Sequence, residues 1–260
     1  VYQGDFDGLT HSGSITGEML KKQIGLKEKV RKEKGWIHLA NANLHNLKNV
    51  SVDIPINVLT CVTGVAGSGK SSLISGEFVS QHPEASVVNQ SSIGANMRSN
   101  PATYLGIMDD IRKLLAAANG VKSALFSFNS EGACPVCKGK GTITSDMAFM
   151  ESITDICEAC NGRRYRPEVL TYKLRGKTIT EILALTVNQA TEFFKDEKFV
   201  SKIVSLANVG LGYITLGQSM DTLSGGELQR VKLANELKKK GNIYVMDEPT
   251  TGLHIADVVI

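Results

Sequence analysis

The sequence predicts an α/β protein, because segments with strand-like and helix-like hydrophobic periodicity alternate along its 260 residues. Residues 36–40 and 50–54 alternate apolar and polar side chains, as strands with one exposed face do. Residues 58–63 are mostly apolar, which favours a strand buried at the centre of a sheet. A glycine-rich turn follows directly and leads into a predicted helix from residue 70 to about residue 79.

The rest of the chain continues this alternation, with more helix than strand. Ile107, Ile111, Leu114 and Leu115 recur at helical spacing and predict a helix within residues 101–119. Residues 1–20 carry little apolar periodicity and predict an irregular lead-in, and Cys61 is interpreted as a buried core residue. Further helices are predicted at 178–186, 188–195, 198–207 and from 224–226 to about 239, and a last buried strand at 243–246.

Composition and charge limit the classes of function. Hydrophobic residues make up 42% of the chain, which permits one large domain or one domain with an insertion. The net charge of +3 is too small to indicate a polyanionic partner, so a nucleic-acid surface would have to be a local patch. The strongly charged residues 21–34 favour a solvated helix or linker over a DNA-binding arm. No segment approaches the roughly 18 apolar residues that span a bilayer, so no membrane association is expected.

Four cysteines form two identical C-x2-C pairs, with nineteen residues between the pairs. This spacing predicts one tetrahedral zinc site of four thiolates, which leaves no open position for water or substrate and is therefore structural. Paired cysteines without a secretory leader indicate a reducing compartment, and hence a cytoplasmic protein. The predicted zinc ligands are Cys134, Cys137, Cys157 and Cys160.

Residues 64–71 fit the phosphate-loop pattern G-x4-G-K-[ST], between a predicted strand and a predicted helix. Glycines let the backbone N–H groups approach one phosphate, and the helix N-terminus favours the anion. Lys70 is expected to reach the β- and γ-phosphates of ATP, and the Ser71 hydroxyl to bind Mg²⁺. The predicted nucleotide-binding residues here are Gly64, Gly67, Ser68, Gly69, Lys70, Ser71 and Ser72.

Two acids follow the predicted strand at 243–246. In a phosphate-loop fold this strand is expected beside the phosphate-loop strand, where Asp247 binds Mg²⁺ and Glu248 acts as general base on the attacking water. Two acids after a strand are otherwise an ordinary helix cap, and it is the pairing with Lys70 that favours catalysis.

Residues 223–230 resemble the signature loop of ATP-binding-cassette (ABC) ATPases. That resemblance implies that Ser224 and the Gly225 and Gly226 amides contact the γ-phosphate of ATP held by an opposite nucleotide-binding half. A plain helix start is the other interpretation, with Ser224 and Glu227 forming a capping box. Both interpretations are compatible, because the cap geometry points the amides at an anion.

These motifs and the cysteine pairs together resemble the UvrA family, the A subunit of the bacterial excinuclease. The resemblance covers nearly the whole chain. It is carried also by residues 46–50, 61–65, 98–104, 126–129, 209–213 and 247–254, while residues 14–20 resemble the end of that family's first ATPase half. The rest resembles its second half, so the chain, which begins at Val1 and stops at Ile260, is expected to be an excised piece.

The resemblance implies an ABC-type ATPase core with an inserted zinc module and a helical signature subdomain. It implies ATP hydrolysis, weak in this piece alone, and binding of double-stranded DNA in damage recognition for nucleotide excision repair. It also implies a homodimer of the full-length protein and an excinuclease B subunit as partner. Gln90 is then the catalytic Q-loop residue, and His254 lies at a dimer contact. The expected segments are a lead-in at 1–35, a core at 36–90, a signature and insertion region at 91–222 with zinc near 128–168, and a truncated core at 223–260.

Two departures from the family pattern keep other functions open. Ser92 and Ala95 stand where the family usually has Pro and Arg, and the segment between Lys70 and Gln90 is short. Both favour a shorter UvrA-like paralogue, a group that includes proteins of drug resistance. The phosphate and signature loops alone would also fit the ATPase subunit of an ABC exporter, which needs no zinc pairs.

The predicted DNA contacts are basic residues beside the cysteine pairs and in the run before Pro101. Such charges on a rigid frame suit backbone contacts that do not read sequence. Tyr165 is expected to pack on a sugar or base, although solvated charges beside a structural zinc are the plainer alternative. The predicted contacts are Arg98, Lys138, Lys140, Arg163, Arg164 and Arg166.

Overall fold

The computed structural model describes residues 2–22, 25, 28–88, 99–145, 153–236, 243–251, 254 and 256. The predicted site residues Gln90 and Arg98 lie outside these described residues. The chain forms two compact units, one of Val1–Gln90 with Lys239–Ile260 and the other of Ser91–Lys238.

The first unit opens with two short helices, α1 (Phe6–His11) and α2 (Ile15–Lys21), where the sequence predicts an irregular segment. That expectation is wrong because each helix is started by a polar cap instead of by apolar periodicity. The Asp5 carboxylate accepts a hydrogen bond from the Gly8 N–H at 2.7 Å, and the Ser14 hydroxyl accepts one from Gly17 at 3.1 Å. Residues 28–34 are not helical.

Two pairs of strands and one helix complete the described part of this unit. Strands β1 (Trp36–Ala42) and β2 (Val50–Pro55) pair antiparallel, and β3 (Ser86–Val88) pairs parallel with β6 (Tyr244–Met246). The helix after the phosphate loop is a π-helix at Ser72–Phe78 that continues as α3 (Val79–Gln81). Leu39, Phe78 and Val245 lie in its buried cluster.

The predicted buried strand at 58–63 is not formed. Leu59 is 90% exposed, Val62 is 43% exposed and Cys61 is also exposed, so the expectation that Cys61 lies in the core is wrong as well. An apolar segment becomes a central strand only where neighbouring strands bond to it on both sides. Among the described residues no strand does so, and β6 bonds to β3.

The second unit is mostly helical and has the larger core. The helix predicted within residues 101–119 is α5 (Met108–Asn119). A shorter helix, α4 (Pro101–Tyr104), precedes it, and Gly106 adopts a left-handed φ of 64° between the two. The next three helices match the predicted segments: α6 (Ile179–Leu183), α7 (Val187–Phe193) and α8 (Val200–Asn208). The chain then forms α9 (Gly225–Glu236).

A small β-hairpin lies within this second unit, between the two cysteine pairs. Strands β4 (Thr142–Ser145) and β5 (Ile153–Ile156) pair antiparallel. Phe126, Phe128 and Tyr165 belong to the same core cluster as α5 and α6, so the module around the cysteines is anchored in the unit's core. No helix among the described residues has the length and hydropathy needed to cross a membrane.

Candidate nucleotide site and metal centre

In the phosphate loop, the side chain of Lys70 folds back and makes hydrogen bonds to the backbone of the loop itself. The Lys70 ammonium donates hydrogen bonds to the carbonyl oxygens of Gly64 at 2.9 Å and Val65 at 3.0 Å. Gly67 and Gly69 adopt left-handed φ values of 75° and 94°, which residues with a Cβ rarely adopt. The loop therefore curls around the position that the Lys70 ammonium occupies.

The segment before β2 supports this loop from outside. The Asn46 side-chain amide donates to the Gly67 carbonyl at 2.8 Å. A Cβ on Gly69 would lie 2.9 Å from Leu47 Cδ2, so the absence of a side chain lets this segment approach. Sequence reasoning missed Asn46 as a support of the phosphate loop, although it lies in one of the runs that carry the family resemblance.

The helix after the phosphate loop begins with the predicted magnesium and phosphate ligands. Lys70 and Ser71 are helical, and the Leu73 N–H donates to the Gly69 carbonyl at 2.8 Å. The Ser72 hydroxyl lies 3.2 Å from His45 Nδ1. The strand–loop–helix order predicted for a phosphate loop is thus present as loop and helix, without the preceding strand.

The two predicted acids lie at the carboxyl end of β6. Asp247 donates its N–H to the Val88 carbonyl at 3.2 Å, which extends the β3–β6 pairing. Glu248 has a left-handed φ of 43° and begins a turn, where its carbonyl accepts from the Thr251 N–H at 3.0 Å. Both acids are exposed. The expectation that their strand pairs with 58–63 is wrong for the described residues, because its partner is β3.

His254, the histidine predicted to lie at a dimer contact, makes a hydrogen bond within its own unit. His254 Nε2 lies 2.9 Å from the Thr16 hydroxyl of α2. Thr16 belongs to the run that resembles the end of the first ATPase half, so this contact joins two segments of different predicted origin.

The signature loop starts α9 as a capping box. The Ser224 N–H donates to Glu227 Oε2 at 2.7 Å, and the Glu227 N–H donates to the Ser224 hydroxyl at 3.3 Å. Gly226 is buried, whereas a Cβ on Gly225 would meet nothing within 4 Å. The cap interpretation is confirmed, and the amides at this helix start are held in a fixed direction.

The four cysteines of the two pairs come together as one buried cluster. Their sulfur atoms all lie within 4.8 Å of one another, and the Cys137 and Cys160 sulfurs are 3.7 Å apart. A tetrahedral ion with metal–sulfur bonds of about 2.3 Å needs sulfur–sulfur edges of roughly 3.8 Å. The cluster therefore fits a four-thiolate metal ion, as the spacing predicts.

The two cysteine pairs share one backbone path, which we call the first and second knuckle (residues 134–141 and 157–164). Lys138 and Gly139 follow the first pair with φ values of 50° and 78°, and Asn161 and Gly162 follow the second with 48° and 74°. These turns fold the chain back over the sulfurs. The Gly141 N–H donates to the Cys137 sulfur at 3.2 Å, a bond that favours thiolate.

The thiols of the cluster differ in acidity. Burial alone would raise the pKa of Cys137, but the Gly141 N–H and the neighbouring thiols outweigh it and lower this pKa to about 7. Burial, together with hydrogen bonds to the neighbouring thiols, raises the pKa of Cys160 to about 12. The coupled thiols therefore lose their protons in separate steps, and a bound cation would favour the thiolate form of all four.

The basic residues beside the cysteines form a partly ordered surface. Lys138, Lys140, Arg163 and Arg166 are exposed. Arg163 Nε donates to the Cys160 carbonyl and Arg166 Nε donates to the Ala133 carbonyl, each at 3.1 Å. These two guanidinium groups are therefore tied to the backbone of the knuckles.

Arg164 and Tyr165, in the second knuckle and directly after it, are more buried than a DNA-contacting surface requires. Arg164 is half-buried, with its guanidinium carbon 5.5 Å from the centre of the Phe128 ring, a cation–π contact. Tyr165 is 1% exposed, packs edge-on against Phe128 and donates its hydroxyl to the Phe126 carbonyl at 3.2 Å. The expectation that Tyr165 packs on a sugar or base is therefore wrong.

The phosphate loop, the capped signature loop and the acid pair define the chain as an ABC-type nucleotide-binding protein, here with a four-thiolate module. Residues 137–251 match the family model described as ABC transporter, a range that includes the signature loop and the acids but not the phosphate loop. The chain spans about a third of the length of the relatives it matches.

The chain is 44% identical to UvrABC system protein A of Staphylococcus epidermidis, over 94% of this chain and 30% of that protein. It is 42% identical to UvrABC system protein A of Haemophilus influenzae, over 99% of this chain and 32% of that protein. The crystal structure of UvrA2 from Deinococcus radiodurans superposes with a TM-score of 0.89 at 41% identity, covering 99% of this chain and 35% of that one. Over nearly its whole length the chain is therefore similar to a segment of these UvrA proteins.

Proposed function

We propose that this chain is part of an ATP-binding and ATP-hydrolysing, DNA-binding protein of the UvrA type, acting in damage recognition for nucleotide excision repair. The observation that carries the proposal is its 44% identity to a UvrABC system protein A over 94% of the chain. We assign it to the second nucleotide-binding half, because the run at 14–20 resembles the end of the first. The working form is a cytoplasmic homodimer of the full-length protein, with an excinuclease B subunit as partner.

The nucleotide would be held by the phosphate loop. When ATP binds, the Lys70 ammonium would exchange the Gly64 and Val65 carbonyls for phosphate oxygens, which are stronger, charged acceptors. Mg²⁺ supplies charge neutralisation at the phosphates, and the Ser71 hydroxyl and Asp247 carboxylate are the groups that would hold it. Glu248 would accept a proton from the attacking water, with Gln90 as the second catalytic group.

Zinc is the ion proposed for the four-thiolate cluster, with a structural role. All four ligands come from the protein, so no position remains for a reacting water. The ion would tie the first and second knuckles to each other and to the core beneath Phe128. Its contribution to function is then the rigidity of the basic surface.

DNA would contact this basic surface through phosphates. Lys138, Lys140, Arg163 and Arg166 are exposed, and Arg164 is half-buried. Arg98, in the run before Pro101, is proposed as a further contact. Damage that weakens base stacking lowers the energy of deforming the duplex, so backbone contacts suffice to sense it.

The proposal is tested by DNA binding of the full-length protein, measured by fluorescence anisotropy on a lesion-bearing duplex and on the same duplex without the lesion. We expect tighter binding to the damaged duplex, steep weakening with salt, and ATP hydrolysis that changes when DNA is added. Equal affinity for both duplexes would rule out damage recognition. Binding that does not respond to salt would rule out the phosphate contacts.

A UvrA-like paralogue in drug resistance is the second candidate. Ser92, Ala95 and the short segment after Lys70 favour it, and the structural match is itself a protein named UvrA2. Expression in a bacterial strain that lacks its UvrA distinguishes the two: restored survival after ultraviolet light indicates the repair subunit. Resistance to a DNA-binding drug without such rescue indicates the paralogue. ATP hydrolysis that is indifferent to DNA in every form of the protein would favour an exporter subunit.

A further inference from the structure

The turn that follows α8 places an exposed tyrosine, Tyr213, against the start of the signature helix α9. The Tyr213 hydroxyl donates to Glu227 Oε1 at 2.5 Å, although the residue as a whole is 57% exposed. That distance is typical of a hydrogen bond from a hydroxyl to a charged carboxylate. An exposed aromatic residue whose hydroxyl makes so short a bond is held in one orientation.

The turn that carries Tyr213 is itself fixed to the core. Leu211 is fully buried, and the Gly212 carbonyl accepts a hydrogen bond from the Asn188 N–H of α7 at 3.0 Å. A Cβ on Gly212 would lie 2.6 Å from the Asn188 side-chain nitrogen, so a larger residue there would have to displace that amide. Tyr213 therefore acts from a rigid support and not from a mobile loop.

Each of the two carboxylate oxygens of Glu227 accepts a hydrogen bond from a different residue. One oxygen accepts from Tyr213, and the other accepts from the Ser224 N–H at 2.7 Å, in the capping box. Arg230 adds a positive charge on the next turn, with Nη2 3.5 Å from the Tyr213 hydroxyl and Nη1 3.4 Å from the Val209 carbonyl. The carboxylate cannot turn toward solvent without breaking the bond from Tyr213.

We propose that Tyr213 is a positioning residue for the signature loop, which orients Glu227 and through it the Ser224 backbone. This proposal rests on the proposed function, because the signature loop matters only if it contacts nucleotide. Without the Tyr213 hydroxyl, the Glu227 side chain can adopt other rotamers. In those rotamers its carboxylate no longer accepts the hydrogen bond from the Ser224 N–H. The Gly225 and Gly226 amides then lose their fixed direction.

The pKa shifts of Tyr213 and Glu227 agree with a hydrogen bond from the tyrosine hydroxyl to a charged glutamate. Burial would raise the pKa of Glu227, but hydrogen bonds from Tyr213 and Ser224 outweigh it and hold this pKa below its ordinary value. Burial and the bond to Glu227 raise the pKa of Tyr213. The tyrosine is thus the donor and the glutamate the charged acceptor at neutral pH.

The test is Tyr213→Phe, which keeps the ring and removes only the hydroxyl. Carbon-13 NMR of the labelled glutamate carboxyls should show the pKa of Glu227 rising in this variant. Tyr172→Phe is the matched control, because among the described residues the Tyr172 hydroxyl makes no hydrogen bond and its ring packs edge-on against Phe126. An unchanged Glu227 pKa in Tyr213→Phe would overturn the proposal, whether or not the protein hydrolyses ATP.

Kinetics of the full-length protein supply the second measurement. We expect Tyr213→Phe to lower kcat for ATP about 10-fold, with KM within about twofold, since one hydrogen bond to a charged group is lost away from the bound phosphates. Adding Tyr213→Phe to Glu227→Gln should lower kcat no further, because both changes break one path. If the two substitutions lowered kcat additively, Tyr213 would not act through Glu227. A wild-type protein without ATP hydrolysis would instead refute the proposed function and leave the NMR result to decide the contact.

Discussion

Gly139 turns the first knuckle beneath the backbone of Phe128, and Gly139→Ala should loosen the metal centre. A Cβ built on Gly139 would lie 2.8 Å from the Phe128 carbonyl carbon and closer still to its oxygen. Relief must come from backbone movement, because Phe128 is fully buried and packs on Tyr165. The left-handed φ of 78° costs about 1–2 kcal/mol in any residue with a Cβ. The overpacking adds about 1–3 kcal/mol.

Gly162→Ala is the matched control, because Gly162 has the same place in the second knuckle and a φ of 74°. Its Cβ would meet only the Ile156 side chain at 3.5 Å, an ordinary contact. Urea unfolding should therefore show a loss of about 1–2 kcal/mol for Gly162→Ala and a clearly larger loss for Gly139→Ala. Zinc release to a chromogenic chelator should be faster in Gly139→Ala. Equal losses in the two variants would refute the reasoning from the Phe128 carbonyl.

The remaining predictions concern the thiolates, the phosphate loop, the basic surface and the signature helix. Metal analysis of reduced protein should find about one zinc per chain, near none in Cys157→Ser and an unchanged amount in the exposed Cys61→Ser; retained zinc in Cys157→Ser would contradict the four-thiolate site. Lys70→Ala should weaken binding of a fluorescent ATP analogue roughly 10- to 100-fold, because charged hydrogen bonds are lost; unchanged affinity would contradict its role. Arg166→Ala should lower the slope of log affinity against log salt by about one, equally for damaged and undamaged DNA, and a change on damaged DNA alone would argue against a phosphate contact. The lowered native pKa of Glu227 means that its carboxylate stabilises the fold above its ordinary value of 4.5, and that this is lost as pH falls through the native value. Urea unfolding of Glu227→Gln should accordingly depend less on pH between about 7 and 3 than that of the wild type.

Local features of the fold could be predicted because their causes lie within a few residues. The pattern Ser224-x-x-Glu227 predicts a capping box, and both of its hydrogen bonds are present. The C-x2-C spacing predicts a shared metal site, and the four sulfurs meet although nineteen residues separate the pairs. In both cases the residue types and their spacing within each motif favour the geometry that the structure shows.

Features that depend on distant neighbours could not be predicted in this way. The apolar run containing Leu59 indicates a buried strand, but burial needs adjacent strands that the run itself does not specify. Tyr165 stands between arginines in the sequence, yet it faces the core because its neighbours turn the chain at a left-handed Arg164. Asn46 and Gly67 are 21 residues apart, and nothing in the sequence between them specifies that they meet.

The turns that bring the four cysteine sulfurs together also orient the basic surface, so a structural metal ion would serve the proposed DNA binding by keeping that surface rigid. Arg163 is bonded to the carbonyl of Cys160, and Arg166 to the carbonyl beside Cys134. Each guanidinium is therefore fixed relative to a sulfur ligand through a few backbone bonds. A protein that senses damage through phosphate contacts needs charges that stay in place while the duplex deforms. Mobile lysines on a loop would follow the deformed backbone and report less of the difference between damaged and intact DNA.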